Sequence, residues 1–292
     1  MYLRSVHAIS YQRLSRLLLE LFGLIISEGA LDAAFRRGKL HVDAEIAAIP
    51  TRLRCARVVC SDETSVCVDG RTCWNWVFQN DEVVIYVIRR SRGAGVVAEV
   101  LDGHRPALWV SDLYGAQRGH AEEWQVCPAH QLRAYAVEAG VEPSGSPDDA
   151  VFAPHMKALL LRAVVLARRR HDLAESARRE YRRRLERALD VVMALAPTQR
   201  DGQCLRRRHG ALRSHLFTFL NHPKVPADNN GSERELRPTA TYRKVVGGFR
   251  SSWGADLFAA VRSVIGTAAR RGTGAYQAIQ QTLRGQTAFY PG

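Results

Sequence analysis

Lysine is nearly missing from this chain. Of 42 basic residues only Lys39, Lys157, Lys224 and Lys244 are lysines, and arginine supplies the rest. Paired cysteines are missing too: Cys55, Cys60, Cys67, Cys73, Cys127 and Cys204 show no C-x-x-C spacing, so they read as free thiols of a reducing compartment. No run approaches the apolar length that spans a bilayer. The best stretch, Leu17 to Ile26, is broken by Glu20 and lacks the plan of a signal peptide, so the sequence predicts a cytoplasmic protein with no membrane partner. There is no G-x-x-x-x-G-K and no G-x-S-x-G, which leaves nucleotide hydrolysis and serine hydrolysis without support. What is present is charge. A net +13 over 292 residues, with 46% apolar content, describes a globular chain with an anionic partner, nucleic acid being the commonest. Drift in a GC-rich genome would also favour arginine.

Two apolar runs end on aspartates: Ala56-Arg57-Val58-Val59-Cys60-Ser61-Asp62 and Ala107-Leu108-Trp109-Val110-Ser111-Asp112. A glutamate follows in Asp228-Asn229-Asn230-Gly231-Ser232-Glu233-Arg234-Glu235-Leu236-Arg237-Pro238. An aspartate at the end of a buried strand is costly unless its charge is used, although turn formation is the commoner use. Neighbouring carboxylates repel unless a cation lies between them, and Mg²⁺ takes such oxygen ligands. Ser232 and Glu235 have capping-box spacing, which gives Glu235 a structural task and leaves Glu233 for chemistry. Arg234, Arg237, Arg243, Lys244 and Arg250 supply phosphate-gripping charge beside it. Trp253 is available to stack on a base or to pack. Cys127-Pro128-Ala129-His130 is half of a zinc site without a second half.

The periodicity orders the chain. Residues 8–38 predict two helices divided at Gly23, the second capped by Ser27, which fits a helix-turn-helix or any packed pair. Strands are expected at 56–61, 73–78, 83–88, 107–111 and 124–127, with an Asp69-Gly70 hairpin turn and helices at 94–101 and 129–139. Three antiparallel strands, a crossover helix and two further strands is the order of a ribonuclease H-like sheet, in which the strands of Asp62 and Asp112 can be neighbours. Val141 to Asp149 reads as a loop. Residues 155–195 read as a basic helical stretch whose arginines are either a solvated face or a DNA-phosphate surface. Helices at 210–221 and 255–271 complete the pattern. The expected fold is α/β, a ribonuclease H-like mixed sheet with flanking helices, an α-helical insertion and N-terminal helices. Its segments are 1–50 (N-terminal helical), 51–140 (first part of the core), 141–226 (basic insertion), 227–272 (return of the core with the glutamate helix) and 273–292 (tail).

Several blocks resemble a known family. Ser61-Asp62-Glu63-Thr64-Ser65, with Val68-Asp69-Gly70 and Trp74-Asn75-Trp76-Val77-Phe78, is similar to the first catalytic block of insertion sequence sixty-six family transposases. Val110-Ser111-Asp112-Leu113-Tyr114 resembles the second, and Cys127, His130 and Arg133 a Cys-His signature whose role is open. The Asp228 to Pro238 run, with Arg243-Lys244, Phe249, Ser251 and Gly254-Ala255, is the most specific match. The resemblance implies a DDE transposase with Asp62, Asp112 and Glu233 as catalytic and metal-binding triad. It also implies Mg²⁺ or Mn²⁺ as cofactor, double-stranded DNA (element ends and target) as partner, and a homo-oligomer on nucleoid DNA. Full-length members carry a further N-terminal region with a zinc-binding segment and a coiled coil, so this chain reads as N-terminally truncated. Cys73 stands where tryptophan is usual. The alternatives are a catalytically silent DNA-binding remnant that regulates relatives, or a ribonuclease H-like nuclease without transposition.

Overall fold

The computed structural model describes residues 1–132, 146–222 and 225–289. The protein is mixed α/β, and its chain separates into two compact units, Met1–Pro106 with Asn230–Gly292, and Ala107–Asn229.

In the first unit the N-terminal helices are α1 (Tyr2–Val6), α2 (Tyr11–Phe22), α3 (Glu28–Ile46) and α4 (Ile49–Arg54). Helix α2 stops because Gly23 adopts φ 66°, and α3 starts where the Ser27 hydroxyl accepts the Ala30 N–H, the cap and stop signals read from the sequence. Strands β1 (Val58–Val68), β2 (Arg71–Gln79) and β3 (Val84–Arg89) follow. They pair antiparallel in sequence order. Asp69 and Gly70 both have positive φ, the conformation of a two-residue hairpin turn. Strand β1 is longer than expected. It does not end on Asp62 but runs six residues past it, with Asp62 opposite Val77. Around Asp62 both faces are covered, with Val59 to Glu63 all buried, so the side chains there do not alternate between core and water, and Asp-Glu-Thr resembles a turn. Helix α5 (Ala94–Leu101) occupies its expected residues.

Helices α9 (Asn230–Val246), α10 (Ser252–Ala269) and α11 (Ala275–Leu283) belong to the same unit, whereas α6 (Pro147–Arg169), α7 (Glu175–Ala194) and α8 (Arg200–Leu212) lie in the other. Helix α10 is buried along nearly its whole length and runs beside β3. The hydroxyls of Thr267 and Ser263, one turn apart, accept the Val84 and Tyr86 N–H groups at 3.0 and 2.9 Å. The helix thus satisfies strand donors that would otherwise be open to another strand.

The second unit begins with β4 (Leu108–Ser111) and β5 (Glu123–Val126), which pair in parallel. Of the helix expected over 129–139, residues 128–132 are helical; the rest, with Arg133, lies outside the described residues, as do 141–145 of the expected loop. That loop does not reach Asp149. Ser146 and Asp149 form a capping box that opens α6 (Pro147–Arg169), with Pro147 in its first turn, as backbone geometry favours. Over Pro147–Arg168 this helix is long and apolar enough to cross a membrane by length and composition, contrary to the sequence reading. Its Phe152, Met156, Leu159, Leu160 and Ala163 are buried in the unit's own core with Leu185, Leu189 and Leu205. The 155–195 stretch is two helices, α6 and α7 (Glu175–Ala194), divided at 170–174. On α7, Arg182 pairs with Glu186 at 2.7 Å, Arg183 and Arg184 with Glu180 at 2.8 and 2.9 Å, and Arg179 with Glu175. These arginines therefore have helix-surface partners. The helix expected at 210–221 is displaced: α8 spans Arg200–Leu212, and two short 3₁₀ turns follow. The chain leaves the helix there because the Phe219 N–H and the Thr218 hydroxyl donate to Gln125 and Trp124 of β5.

Asp149 also accepts the N–H groups of Thr198 and Gln199 and the Thr198 hydroxyl. The Thr198 hydroxyl bond leads the causes that hold its carboxyl down at about 2. His209 is fully buried on α8 with its Nδ1 2.9 Å from the Leu205 carbonyl. The carbonyl can only accept, so Nδ1 carries the proton. Burial pushes this imidazole down to about 4. Folding thus favours the neutral ring. Its contribution is complete above the ordinary pKa of 6.5 and is lost as pH falls from 6.5 toward 4, to a limit of about 3 kcal/mol. Denaturant unfolding between pH 7 and pH 4.5 is expected to show this loss, and His209→Gln a visibly smaller one. Equal slopes in the two proteins would contradict it.

Candidate active site

In an antiparallel pair, residues directly opposite each other point to the same side of the sheet. Asp62 opposes Val77, and Thr64 and Cys60 oppose Asn75 and Gln79. Asp62, Asn75, Val77 and Gln79 therefore share one face. Helix α9 covers that face: Asn75 Nδ2 donates to Thr239 Oγ1 at 2.6 Å and Gln79 Nε2 to Ser232 Oγ at 2.9 Å. Asp62 is 8% exposed beneath the helix that carries Glu233, and its Oδ1 accepts the Glu63 N–H at 2.9 Å. Glu63 points the other way, with its side chain 1% exposed and paired to Arg92 at 2.8 Å. Arg92 lies 4.3 Å over the Trp74 ring. Adjacent carboxylates on one strand thus have different surroundings, and only Asp62 faces α9.

Helix α9 begins at Asn230, two residues before the serine expected to cap it. Ser232 is buried inside the first turn, so Ser232 and Glu235 form no capping box. Glu235 nevertheless has a structural task, because its carboxylate accepts the Tyr86 hydroxyl at 2.6 Å and pairs with Arg270 at 3.1 Å. Glu233 is half-buried in the same turn. At 100° per residue it projects within roughly 40° of Arg237 on the helix. Arg234, Arg237 and Lys244 are exposed on that side, opposite buried Leu236, Thr239 and Tyr242. Arg243 differs from them: its Nη1 donates to the Ser65 carbonyl and hydroxyl at 2.7 and 3.0 Å, which ties α9 to β1. Arg250 is exposed in a cleft lined by Arg4, Tyr11, Arg13 and Trp253. The Trp253 ring already carries the Arg36 guanidinium at 4.4 Å.

Asp112 belongs to the second unit. It follows the last residue of β4, as the sequence predicted, is half-buried, and its Oδ1 accepts the Tyr114 N–H at 2.9 Å. Cys127 is fully buried at the start of the 128–132 helical turn, its sulfur accepting the Asn229 N–H at 3.2 Å. Burial pushes its thiol up to about 11, which keeps it protonated. His130 is half-buried nearby in sequence.

Asp62, Asp112 and Glu233 are hard oxygen donors, the chemistry a divalent Mg²⁺ or Mn²⁺ ion takes. The backbone N–H groups of Glu63 and Tyr114, hydrogen-bonded to Oδ1 of Asp62 and Asp112, hold the two carboxylates in place. Among the described residues, no three His, Cys, Asp or Glu side chains form a ready-made metal cluster.

No curated protein matches this chain. The family model described as Transposase IS66 family matches residues 1–257 of its 292. That match spans β1 with Asp62, the end of β4 with Asp112, and the first turn of α9 with Glu233. The chain belongs to the IS66 transposase family.

Proposed function

We infer that this protein is a DDE-type transposase with a ribonuclease H-like core, and that Asp62, Asp112 and Glu233 are its catalytic carboxylates. What carries the reading is the position of Asp62 on the sheet face covered by the Glu233 helix, in a chain of a transposase family. Divalent ions held by the three carboxylates would lower the pKa of an attacking water and stabilise the leaving 3′ oxygen. Glu233, Asp62 and Asp112 supply the negative oxygens; Arg234, Arg237 and Lys244, next to Glu233 on the helix surface, grip the flanking phosphates. Water adds to the phosphorus, the bond to the 3′ oxygen breaks, and a free 3′-hydroxyl and a 5′-phosphate result. That hydroxyl then attacks a phosphodiester of target DNA and displaces a second 3′ oxygen. No covalent protein–DNA intermediate is required. Bringing two element ends together calls for at least a dimer on the DNA, in the cytoplasm. The expected result is nicking of supercoiled DNA in Mg²⁺ or Mn²⁺ that chelation abolishes. DNA binding with no nicking in either ion would sink this reading and favour a silent DNA-binding regulator.

A further inference from the structure

The first turn of α9 is held by a closed ring of buried and half-buried polar groups. Gln79, at the end of β2 and 6% exposed, donates from Nε2 to Ser232 Oγ at 2.9 Å. Its Oε1 accepts from Arg270 Nη2. Arg270 Nη1 donates to Glu235 Oε1 at 3.1 Å and to the Gly266 carbonyl at 2.7 Å, and its Nε to the Asn80 carbonyl at 3.0 Å. Glu235 Oε2 receives the Tyr86 hydroxyl at 2.6 Å. The ring grips α9 on both sides of Glu233, at Ser232 and at Glu235. Gly231 lets Gln79 approach, since a Cβ there would lie 3.0 Å from Gln79 Nε2. Fixing one helical turn from three separate elements (β2, β3 and the end of α10) is more than packing requires, because Leu236, Thr239 and Tyr242 already bury the helix. Its consequence is a fixed origin for the Glu233 side chain.

We propose that Gln79 and Arg270 are positioning residues for Glu233, acting through Ser232 and Glu235. The proposal rests on Glu233 being a catalytic carboxylate. A misplacement of about 1 Å at a reacting group costs on the order of 100-fold. Gln79→Met keeps the size and removes both hydrogen bonds. Gln79→Glu keeps an acceptor for Arg270, and the Ser232 hydroxyl can rotate to donate to the new carboxylate. Hydrogen exchange of the 231–236 amides and DNA cleavage are measured for the full chain and both variants. The expected result for Gln79→Met is faster exchange confined to that turn, cleavage slowed roughly 10- to 100-fold and unchanged DNA affinity. Gln79→Glu is expected within about threefold of the parent rate, since it retains the hydrogen bonds that fix the turn. Faster exchange throughout β1 and α10 in Gln79→Met, or equal losses in the two variants, would overturn the positioning role. If the parent protein does not cleave DNA, the functional reading fails, and the exchange contrast alone still decides whether the ring holds the turn.

Discussion

Asp62→Asn, Asp112→Asn and Glu233→Gln are each expected to slow DNA cleavage by roughly 10³-fold or more if the three carboxylates hold the divalent ions as proposed, because each loses a negative ligand oxygen of the ions that activate the water and the leaving group. The substitutions are chosen so that the fold survives. Asparagine keeps a carbonyl oxygen where Asp62 accepts the Glu63 N–H and Asp112 the Tyr114 N–H, so both local bonds persist while the negative charge is lost. DNA affinity, which the proposal assigns to arginine–phosphate contacts, is expected to stay within about twofold. Glu235→Gln is the informative contrast. Its parent carboxylate faces Tyr86 and Arg270 in a half-buried pair, so this variant is expected to lose about 1–3 kcal/mol of stability and, by loosening the turn that places Glu233, to slow cleavage by no more than about 100-fold. Parallel rate measurements and thermal melts of the four variants test the assignment. Normal cleavage by Asp62→Asn, or a loss in folded Glu235→Gln as large as in the other three variants, would contradict it.

Gly248→Ala is expected to destabilise the first unit by about 3 kcal/mol or more, through backbone strain and a clash. Between α9 and α10 the chain turns through Gly247 and Gly248, both with positive φ. Gly248 lies against β1: an added Cβ would stand 2.5 Å from the Cys67 carbonyl oxygen and 2.9 Å from Cys67 Cβ. That close approach lets Phe249 bridge to Val68 in parallel, its N–H donating to Cys67 at 2.8 Å and its carbonyl accepting from Asp69 at 2.9 Å. The Phe249 ring then joins Tyr242 and Phe258, with centroids 4.7 and 5.2 Å away. Gly247 has the same sign of φ but nothing within 4 Å of an added Cβ, so Gly247→Ala is expected to cost only the roughly 1–2 kcal/mol of a left-handed residue. Denaturant melts of the two variants check the difference. Equal destabilisation would show that the Cys67 contact carries no weight.

The features legible in the sequence are those set by neighbours along the chain. Ser27, Gly23, the Asp69-Gly70 turn and helix α5 are local signals, and the structure has them where they were expected. The 141–149 loop shows a signal present but misweighed: Ser146-Pro147-Asp148-Asp149 is a helix start, obscured by its turn-forming composition. Other misses were set by distant residues. The continuation of β1 through Asp62, Glu63 and Thr64 depends on α9 over one face and on Arg92 over the other. The cap that the Ser232–Glu235 spacing predicts does not form; the structural partners of Glu235, Tyr86 and Arg270, lie on other elements, and no spacing rule reveals them. Asp62, Asp112 and Glu233 stood out by residue type and context. Gln79 and Arg270 did not, because a glutamine ending a strand and an arginine ending a helix are ordinary until the ring that joins them is seen. The one available hint was a polar amide directly after Val77-Phe78, where the alternation demanded a partner on the buried face.

The most direct test of the central claim is whether a 3′-hydroxyl freed from an element end becomes covalently joined to target DNA. Labelled DNA taken from either side of the gene, an unlabelled target plasmid and Mg²⁺ or Mn²⁺ suffice for the measurement. The account predicts that label is transferred to the plasmid by the parent protein and not by Asp62→Asn. Cleavage without any joined product would contradict it and make the protein a nuclease.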